Sequence, residues 1–397
     1  MSATQTWRSA SLVVLLVALP VPALAEPEGA TPVQRAGEAR DDEAEPPSEA
    51  PALVPPEASP APPPDPVPAK RKPTGRFQIG VGYSTDDKFM ASAEIAQDNL
   101  FGTGQRLSLG AKISARQQLF RLGYDLPHLL GSDLELRTEL VNRRDQLPGF
   151  VRSGVGGGVT LLRPLGDHLT GFIGYRVEQI TTTIDDPIAA RGDLPPPVTS
   201  RDGRIASLRG GLAYSTLDQP FLPTKGMSLG ATVEIADPRW GSEIQLTRFD
   251  GWGSLHAPLG PLTLHLGGSV STVSSRDAAG VPLSERLHLD GSSVVRGFAP
   301  GALGPRDART GLSLGGNFEY TGRAELEAPL FRSAGISAVG FVDHGGIYDL
   351  GGAGSNGTSI GFGLIWRSPI GPLRFDWAFP VGGDGSPHFV FGLGTNF

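Results

Sequence analysis

Arg296 has the most suggestive chemical setting in this chain, because it is the one cation in the stretch SSVVRGFAPG (292–301). A guanidinium can form two parallel hydrogen bonds to one carboxylate, so this residue type suits the fixing of a loop to an acidic surface. An accidental surface arginine would explain the same letters equally well. The choice depends on the elements around Arg296 and on the carboxylates that they carry.

Three other stretches resemble catalytic or ligand-binding patterns. GTSIG (357–361) has the spacing of a nucleophile elbow, but an alternating strand follows Ser359 where that chemistry needs a helix. GVGGGV (154–159) lacks the phosphate-loop spacing and precedes no helix, so it indicates a strand whose small residues let neighbours pack closely. His344 beside Asp343 has no second histidine nearby, which favours a residue of a wet lumen or a turn. We therefore expect no enzymatic activity, no cofactor and no metal site.

The N-terminus reads as an export signal. Arg8 precedes the apolar run SLVVLLVALP, and the sequence Ala23-Leu24-Ala25 fits a signal-peptidase site, so residues 1–25 are a predicted signal peptide. The apolar run is too short for a membrane-spanning helix. The chain has no cysteine, which excludes disulfides and thiol catalysis.

Residues 26–75 form a compositionally distinct segment that holds 14 of the chain's 36 prolines. Such a segment cannot bury enough apolar surface to offset the entropy of ordering, so we predict a disordered periplasmic linker. A spacer is the simpler interpretation. A tether that brings Lys70, Arg71 and Lys72 close to the membrane or cell wall is the alternative.

Residues 76–397 alternate between apolar and polar positions, as strands do. In SIGFGLIW (359–366) every second residue is apolar, and in PLRFDWAF (372–379) the charged residues Arg374 and Asp376 share one face. A soluble sandwich would also alternate, but the export signal and the charged inner positions favour a membrane barrel, in which every strand edge is paired. We predict an all-β fold, a transmembrane antiparallel β-barrel of about sixteen strands. Its small net negative charge and lack of a basic stripe argue against nucleic acid as a partner.

Six motifs occur along this region in an order typical of one family. They are DNLFGTGQ (98–105), FLPTKG (221–226), VRGF (295–298), GGN (315–317), GFVDHGG (340–346) and SPIGPLRF (368–375). Through them residues 76–397 resemble the C-terminal barrel of BamA/TamA-type outer-membrane assembly factors, the bacterial surface antigen family.

The resemblance implies a sixth extracellular loop that folds back into the lumen and is held there by its arginine. Carried over by motif, the loop residues are Val295, Arg296, Gly297 and Phe298, and the inner-wall partners are Glu325, Phe341 and Asp343. The alternation agrees, because Glu325 falls on the polar face of its strand and Asp343 shares a face with Phe341. We expect a wet lumen to reduce the contribution of this ion pair below the roughly 3–5 kcal/mol at stake in a fully buried one.

The resemblance also implies a weak seam between the first and last strands, which would open sideways. Glycine packs poorly in strands, so the predicted seam residues are Gly80, Gly82, Gly392 and Gly394. The terminal segment resembles the assembly signal of the family through Phe389, Phe391, Leu393 and Phe397, although Thr395 stands where the pattern is often apolar.

The leading hypothesis is an outer-membrane barrel that takes part in protein insertion or translocation. Its expected partners are outer-membrane lipids, unfolded outer-membrane protein clients and a separate periplasmic partner. Most family members carry periplasmic POTRA domains, and residues 26–75 are too short and too polar to form one, which puts that route of client capture in doubt. The alternative is a static outer-membrane barrel that serves as a pore, surface antigen or envelope tether.

Overall fold

The computed structural model describes residues 74–85, 87–189, 202–219, 222–289, 295–349, 352–369, 371–382 and 387–393. Within them, sixteen antiparallel strands close into one barrel in which each strand pairs with its neighbours in sequence and β1 pairs with β16. The strands are β1 (Gly75–Ser84), β2 (Lys88–Leu100), β3 (Gln105–Ile113), β4 (Gln117–Leu126), β5 (Glu135–Leu147), β6 (Phe150–Pro164), β7 (Leu169–Ile184), β8 (Gly203–Ser215), β9 (Gly226–Ala236), β10 (Leu246–Leu259), β11 (Leu262–Ser274), β12 (Phe318–Phe331), β13 (Ile336–Tyr348), β14 (Gly354–Ser368), β15 (Gly371–Val381) and β16 (His388–Leu393). The predicted all-β barrel of about sixteen strands is confirmed.

Some predicted features lie outside the described residues. They are the signal peptide (1–25), the linker up to residue 73, Phe221 of the FLPTKG motif, Gly394, Thr395 and Phe397. The predicted linker boundary at residue 75 is late, because β1 already includes Gly75, whose register partner is Gln97 of β2.

The alternation along each strand separates an apolar outer face from a polar inner face. β14 illustrates the pattern: Ile360, Phe362 and Trp366 are 51%, 56% and 42% exposed on the outside of the cylinder. Ser359 and Ile365, at positions of the other parity, are buried inside. An apolar outer band with a closed ring of backbone pairing is what a strand needs in order to cross a bilayer.

The described part of the chain contains little helix, and its one α-helical turn is Asp186–Ala189. No helix among the described residues has the length and apolar character required to cross a membrane.

The connection between β11 and β12 is the element that shapes the lumen. It occupies residues 275–317 and is the sixth connection at its end of the barrel, counted from the one between β1 and β2. Its apolar side chains pack on inward residues of the wall: Leu283 and Leu312 cluster with Phe150 of β6, and Leu289 and Leu303 cluster with Ile347 of β13. This connection, called the sixth loop below, therefore folds back into the barrel.

Candidate functional site: a buried charge cluster beneath the sixth loop

Arg296 projects from the sixth loop into the wall and is 3% exposed. Its Nε and Nη2 donate to the two carboxylate oxygens of Asp343 on β13, each at 2.7 Å, and its backbone N–H donates to the same carboxylate at 3.1 Å. Nη2 also lies 2.7 Å from Oε1 of Glu325 on β12. Nη1 donates to Oδ2 of Asp376 on β15 at 2.9 Å. One guanidinium thus ties the loop to three strands.

Two further arginines complete the cluster. Arg374 on β15 donates through Nη2 to both oxygens of Glu325, at 2.9 and 3.0 Å, and through Nε to Asp376 at 2.8 Å. Arg323 on β12 donates through Nε to Asp343 at 3.3 Å. The set Arg296, Arg323, Arg374, Glu325, Asp343 and Asp376, called the latch cluster below, balances three cations against three carboxylates.

The centre of the latch cluster is buried, whereas the side chains of Arg323 and Arg374 are 36% and 33% exposed. Asp343 is 0% exposed, and Glu325 and Asp376 are also buried. Burial opposes the charge on Arg296, but hydrogen bonds to Asp343 and the charges of the three carboxylates outweigh it, so the pKa of the guanidinium is raised above its ordinary value. The expectation of a well-solvated ion pair was wrong for Arg296 and Asp343, since both side chains are almost fully buried.

The other three residues of the VRGF motif, Val295, Gly297 and Phe298, each pack against the barrel wall. Val295 lies against Gly345, where a Cβ atom would come within 2.6 Å of the valine Cγ2. The ring of Phe298 lies over Gly357. Gly297 has a φ of +93°, which favours glycine, and a Cβ atom there would lie 3.3 Å from Ser359 Cβ. Small residues in the wall therefore form the surface on which the loop is seated.

The aromatic ring of Phe341 packs against the guanidinium of Arg296. The centre of its ring lies 3.4 Å from Cζ of Arg296, close enough for a cation–π contact in addition to the ion pairs. The ring in turn lies over Gly361 of β14. The structure thus places Glu325, Phe341 and Asp343 together around Arg296.

Sequence reasoning missed three members of the latch cluster, Arg323, Arg374 and Asp376, and misplaced one further residue, His344. Arg374 and Asp376 were placed on the polar face of their strand without a role, although the same parity puts them beside Glu325. His344 was expected in a wet lumen or a turn, but it lies on the outer face of β13, where its Nδ1 is 2.8 Å from Oγ1 of Thr358. The alternation explains this correction, since a neighbour of an inward Asp343 must point outward.

The predicted catalytic and metal-binding alternatives have simpler structural explanations. Ser359 lies in the middle of β14, opposite Asp343 and Pro380 in register, and no strand-to-helix turn surrounds it. Among the residues that the structure describes, no group of three or more His, Asp or Glu side chains is arranged to hold a metal ion.

The barrel closes at the seam between β1 and β16. The described register of this seam runs over four positions, from Val81 opposite Leu393 to Ser84 opposite Val390, and it includes Gly82 directly opposite Gly392. The third described glycine of the predicted seam, Gly80, has Ser92 of β2 as its register partner.

The predicted assembly-signal residues lie on β16 as far as they are described. The ring of Phe389 lies 5.2 Å from that of Trp377, and the ring of Phe391 lies 4.9 Å from that of Phe375. Leu393 has register partners in both β1 and β15. Aromatic ring contacts thus join β16 to β15, on the side of β16 that faces away from the seam.

Comparison with known proteins agrees with this architecture. The outer membrane protein assembly factor BamA of Nitratidesulfovibrio vulgaris is 28% identical over 83% of this chain and 43% of its own length. BamA of Neisseria meningitidis serogroup B is 26% identical over 82% of this chain and 47% of its own length. The chain thus spans less than half the length of these relatives.

A solved structure shows the same fold. The crystal structure of BamA from Haemophilus ducreyi lacking POTRA domains 1–3 superposes with a TM-score of 0.69 at 22% identity, over 82% of this chain and 71% of that one. Residues 99–397 match the family model of the Omp85 superfamily domain. With the relatives above, this match identifies a bacterial outer-membrane protein. The chain belongs to the Omp85 superfamily.

Proposed function

We propose that this chain takes part in the insertion or translocation of proteins at the outer membrane, by a non-enzymatic mechanism. Membership of the Omp85 superfamily and relatives named outer membrane protein assembly factors support this role. The proposed partners are membrane lipids, unfolded outer-membrane protein clients and a separate periplasmic protein that delivers them.

The observation that carries the proposal is the closure between β1 and β16, the one pair of neighbouring described strands that are not consecutive in the chain. The described β1–β16 register covers residues 81–84 and 390–393 and places Gly82 opposite Gly392. Because no segment of the chain joins these two strands and glycine packs poorly in strands, we infer that they separate here when a client strand arrives. A strand edge that is released there is a template for pairing with an incoming strand.

The latch cluster supports the same role, because it connects the sixth loop to the neighbourhood of the seam. Asp376 lies on β15, which pairs directly with β16, and its register partner there is Val390. Arg296 contacts that aspartate. A displaced loop would therefore remove a contact from the strand next to the seam.

Insertion by the purified full chain tests the proposal. Liposomes that contain the chain are expected to convert an unfolded outer-membrane barrel client into its heat-modifiable, protease-protected form faster than empty liposomes do. Liposomes that contain an unrelated closed barrel serve as the control for mere disturbance of the bilayer. Equal rates in all three preparations would support the static barrel instead.

A further inference from the structure

A second group of charged contacts holds the sixth loop at another part of the wall. Glu285 of the loop is 2% exposed, and its Oε1 accepts a hydrogen bond from Nη2 of Arg152 on β6 at 2.7 Å. Arg152 also donates through Nε to the backbone carbonyl of Ser284 at 3.0 Å. Arg248 on β10 donates to the backbone carbonyl of Glu285 at 2.7 Å. The loop is therefore bound here through both its side chain and its backbone.

Arg152 is itself held in place by Glu178 on β7. The two side chains form a pair of hydrogen bonds at 3.2 Å each, and Nε of Arg143 on β5 donates to Glu178 Oε1 at 3.1 Å. Arg176 pairs with Glu178 and donates to Glu234 on β9 at 2.8 Å. Arg152, Arg176 and Glu178 are all buried. Side chains of β5, β6, β7 and β9 thus form a network that holds the Arg152 guanidinium in the position from which it donates to Glu285.

The glycine-rich stretch GVGGGV provides the space for this network. A Cβ atom on Gly156 would lie 2.7 Å from Cβ of Glu178 and 2.8 Å from the backbone oxygen of Val177. A Cβ atom on Gly154 would collide with the carboxylate of Glu178. The small residues of β6 therefore let Glu178 lie flat on the wall and reach Arg152.

We propose that Glu285 is a second positioning residue of the sixth loop, and that the loop closes the lumen because it is anchored at two separate sectors of the wall. The first anchor is a loop cation, Arg296, on carboxylates of β12, β13 and β15. The second anchor is a loop carboxylate, Glu285, on arginines of β6 and β10. Because the charges are reversed, neither loop residue can bind at the other's site. The loop leaves the lumen only when both anchors are released.

This arrangement predicts how substitutions at the two anchors combine. Contacts that belong to one anchor depend on each other, so their losses are less than additive in free energy. The two anchors contact different strands, so their losses add in free energy and the corresponding fold-changes multiply. A residue that only fills space in the barrel does not produce this pattern.

Single-channel recording of the full chain in planar lipid bilayers measures release of the loop without any client protein. Glu285→Gln keeps the size of the side chain, and it is expected to raise the open probability about tenfold, since it removes one member of a buried ion pair. The fold-changes of Glu285→Gln and Arg296→Ala are expected to multiply in the double variant. Those of Glu285→Gln and Arg152→Gln are expected to fall short of multiplying.

Glu243→Gln is the matched control. It makes the same change in an exposed pair, 3.6 Å from Arg204 and 57% exposed, outside the sixth loop. Wild-type behaviour of Glu285→Gln, or equal effects of Glu243→Gln and Glu285→Gln, would overturn the proposal. If Glu285→Gln fails to give a heat-modifiable barrel, Arg248→Gln takes its place, because it removes a loop contact from β10 and leaves the Arg152–Glu178 pair intact. An unchanged open probability in Arg248→Gln would likewise overturn the proposal. The readout is independent of insertion activity, so this proposal and the proposed function fail separately.

Discussion

Arg296→Ala is expected to release the first anchor of the sixth loop and to abolish most of the insertion activity. The change leaves Asp343, Glu325 and Asp376 with two cations instead of three. Removal of one partner from a buried ion pair costs roughly 3–5 kcal/mol. We expect a loss of about 3 kcal/mol in the free energy of unfolding, at the low end of that range, because Arg323 and Arg374 still neutralise part of the charge. Denaturant unfolding in detergent measures the loss, and client insertion into liposomes measures the activity.

Two companion variants separate the geometry of Arg296 from its charge. Arg296→Lys is expected to rescue poorly, because one ammonium cannot donate to both oxygens of Asp343 and to Asp376 at the same time. The double variant Arg296→Ala with Asp343→Ala is expected to lose less than the sum of the single losses. Arg276→Ala, a change at an exposed arginine of the same loop, is the control. Simple addition of the two single losses would contradict the latch.

Gly361→Ala is expected to disturb the same site without changing a charge. A Cβ atom at this position would collide with the ring of Phe341 and with the backbone oxygen of Trp377. The ring would then have to move from beneath Arg296, and overpacking of this kind costs about 1–3 kcal/mol. We expect a destabilised barrel and a loss of insertion activity that approaches the loss in Arg296→Ala.

Gly340→Ala is the matched control for this substitution. Gly340 lies on the outer face of β13, and nothing approaches its Cβ position within 4 Å. We expect wild-type stability and activity for Gly340→Ala. If Gly361→Ala had the same stability and activity as Gly340→Ala, the stacking of Phe341 on Arg296 would contribute nothing to function.

The sequence predicted the barrel well because one physical rule governs every strand. Alternation placed Glu325 and Asp343 on the inner face, and the same rule would have placed His344 outside had it been applied one residue further. Asp376 could have been found in the same way, since it shares the inner face of its strand with Arg374.

The second anchor could not be predicted from local patterns. Glu285 and Arg152 are 133 residues apart, and neither lies in a motif that suggests the other. Their pairing depends on how the loop crosses the lumen, which depends in turn on the closed ring of strands. The glycine-rich stretch that makes room for Glu178 was recognised as a site of close packing, but nothing in the sequence named the side chain that occupies it.

Client insertion is proposed to require opening between β1 and β16, and a disulfide across this seam tests that requirement most directly. Because the Thr85 N–H donates to the Phe389 oxygen at 3.0 Å, the adjacent pair Ser84–Val390 is a non-hydrogen-bonded pair, in which the side chains are closest. The chain has no cysteine, so Ser84→Cys with Val390→Cys introduces one defined pair.

The pair Ser215–Ser228 between β8 and β9 is the matched control, since the adjacent Thr216 N–H donates to the Met227 oxygen at 2.8 Å in the same way. Both double variants are oxidised, reconstituted and assayed for client insertion before and after reduction. We predict that the seam disulfide blocks insertion, that reduction restores it, and that the β8–β9 disulfide has no effect. Full insertion by the oxidised seam variant would contradict the account, because a barrel locked between β1 and β16 cannot open sideways there.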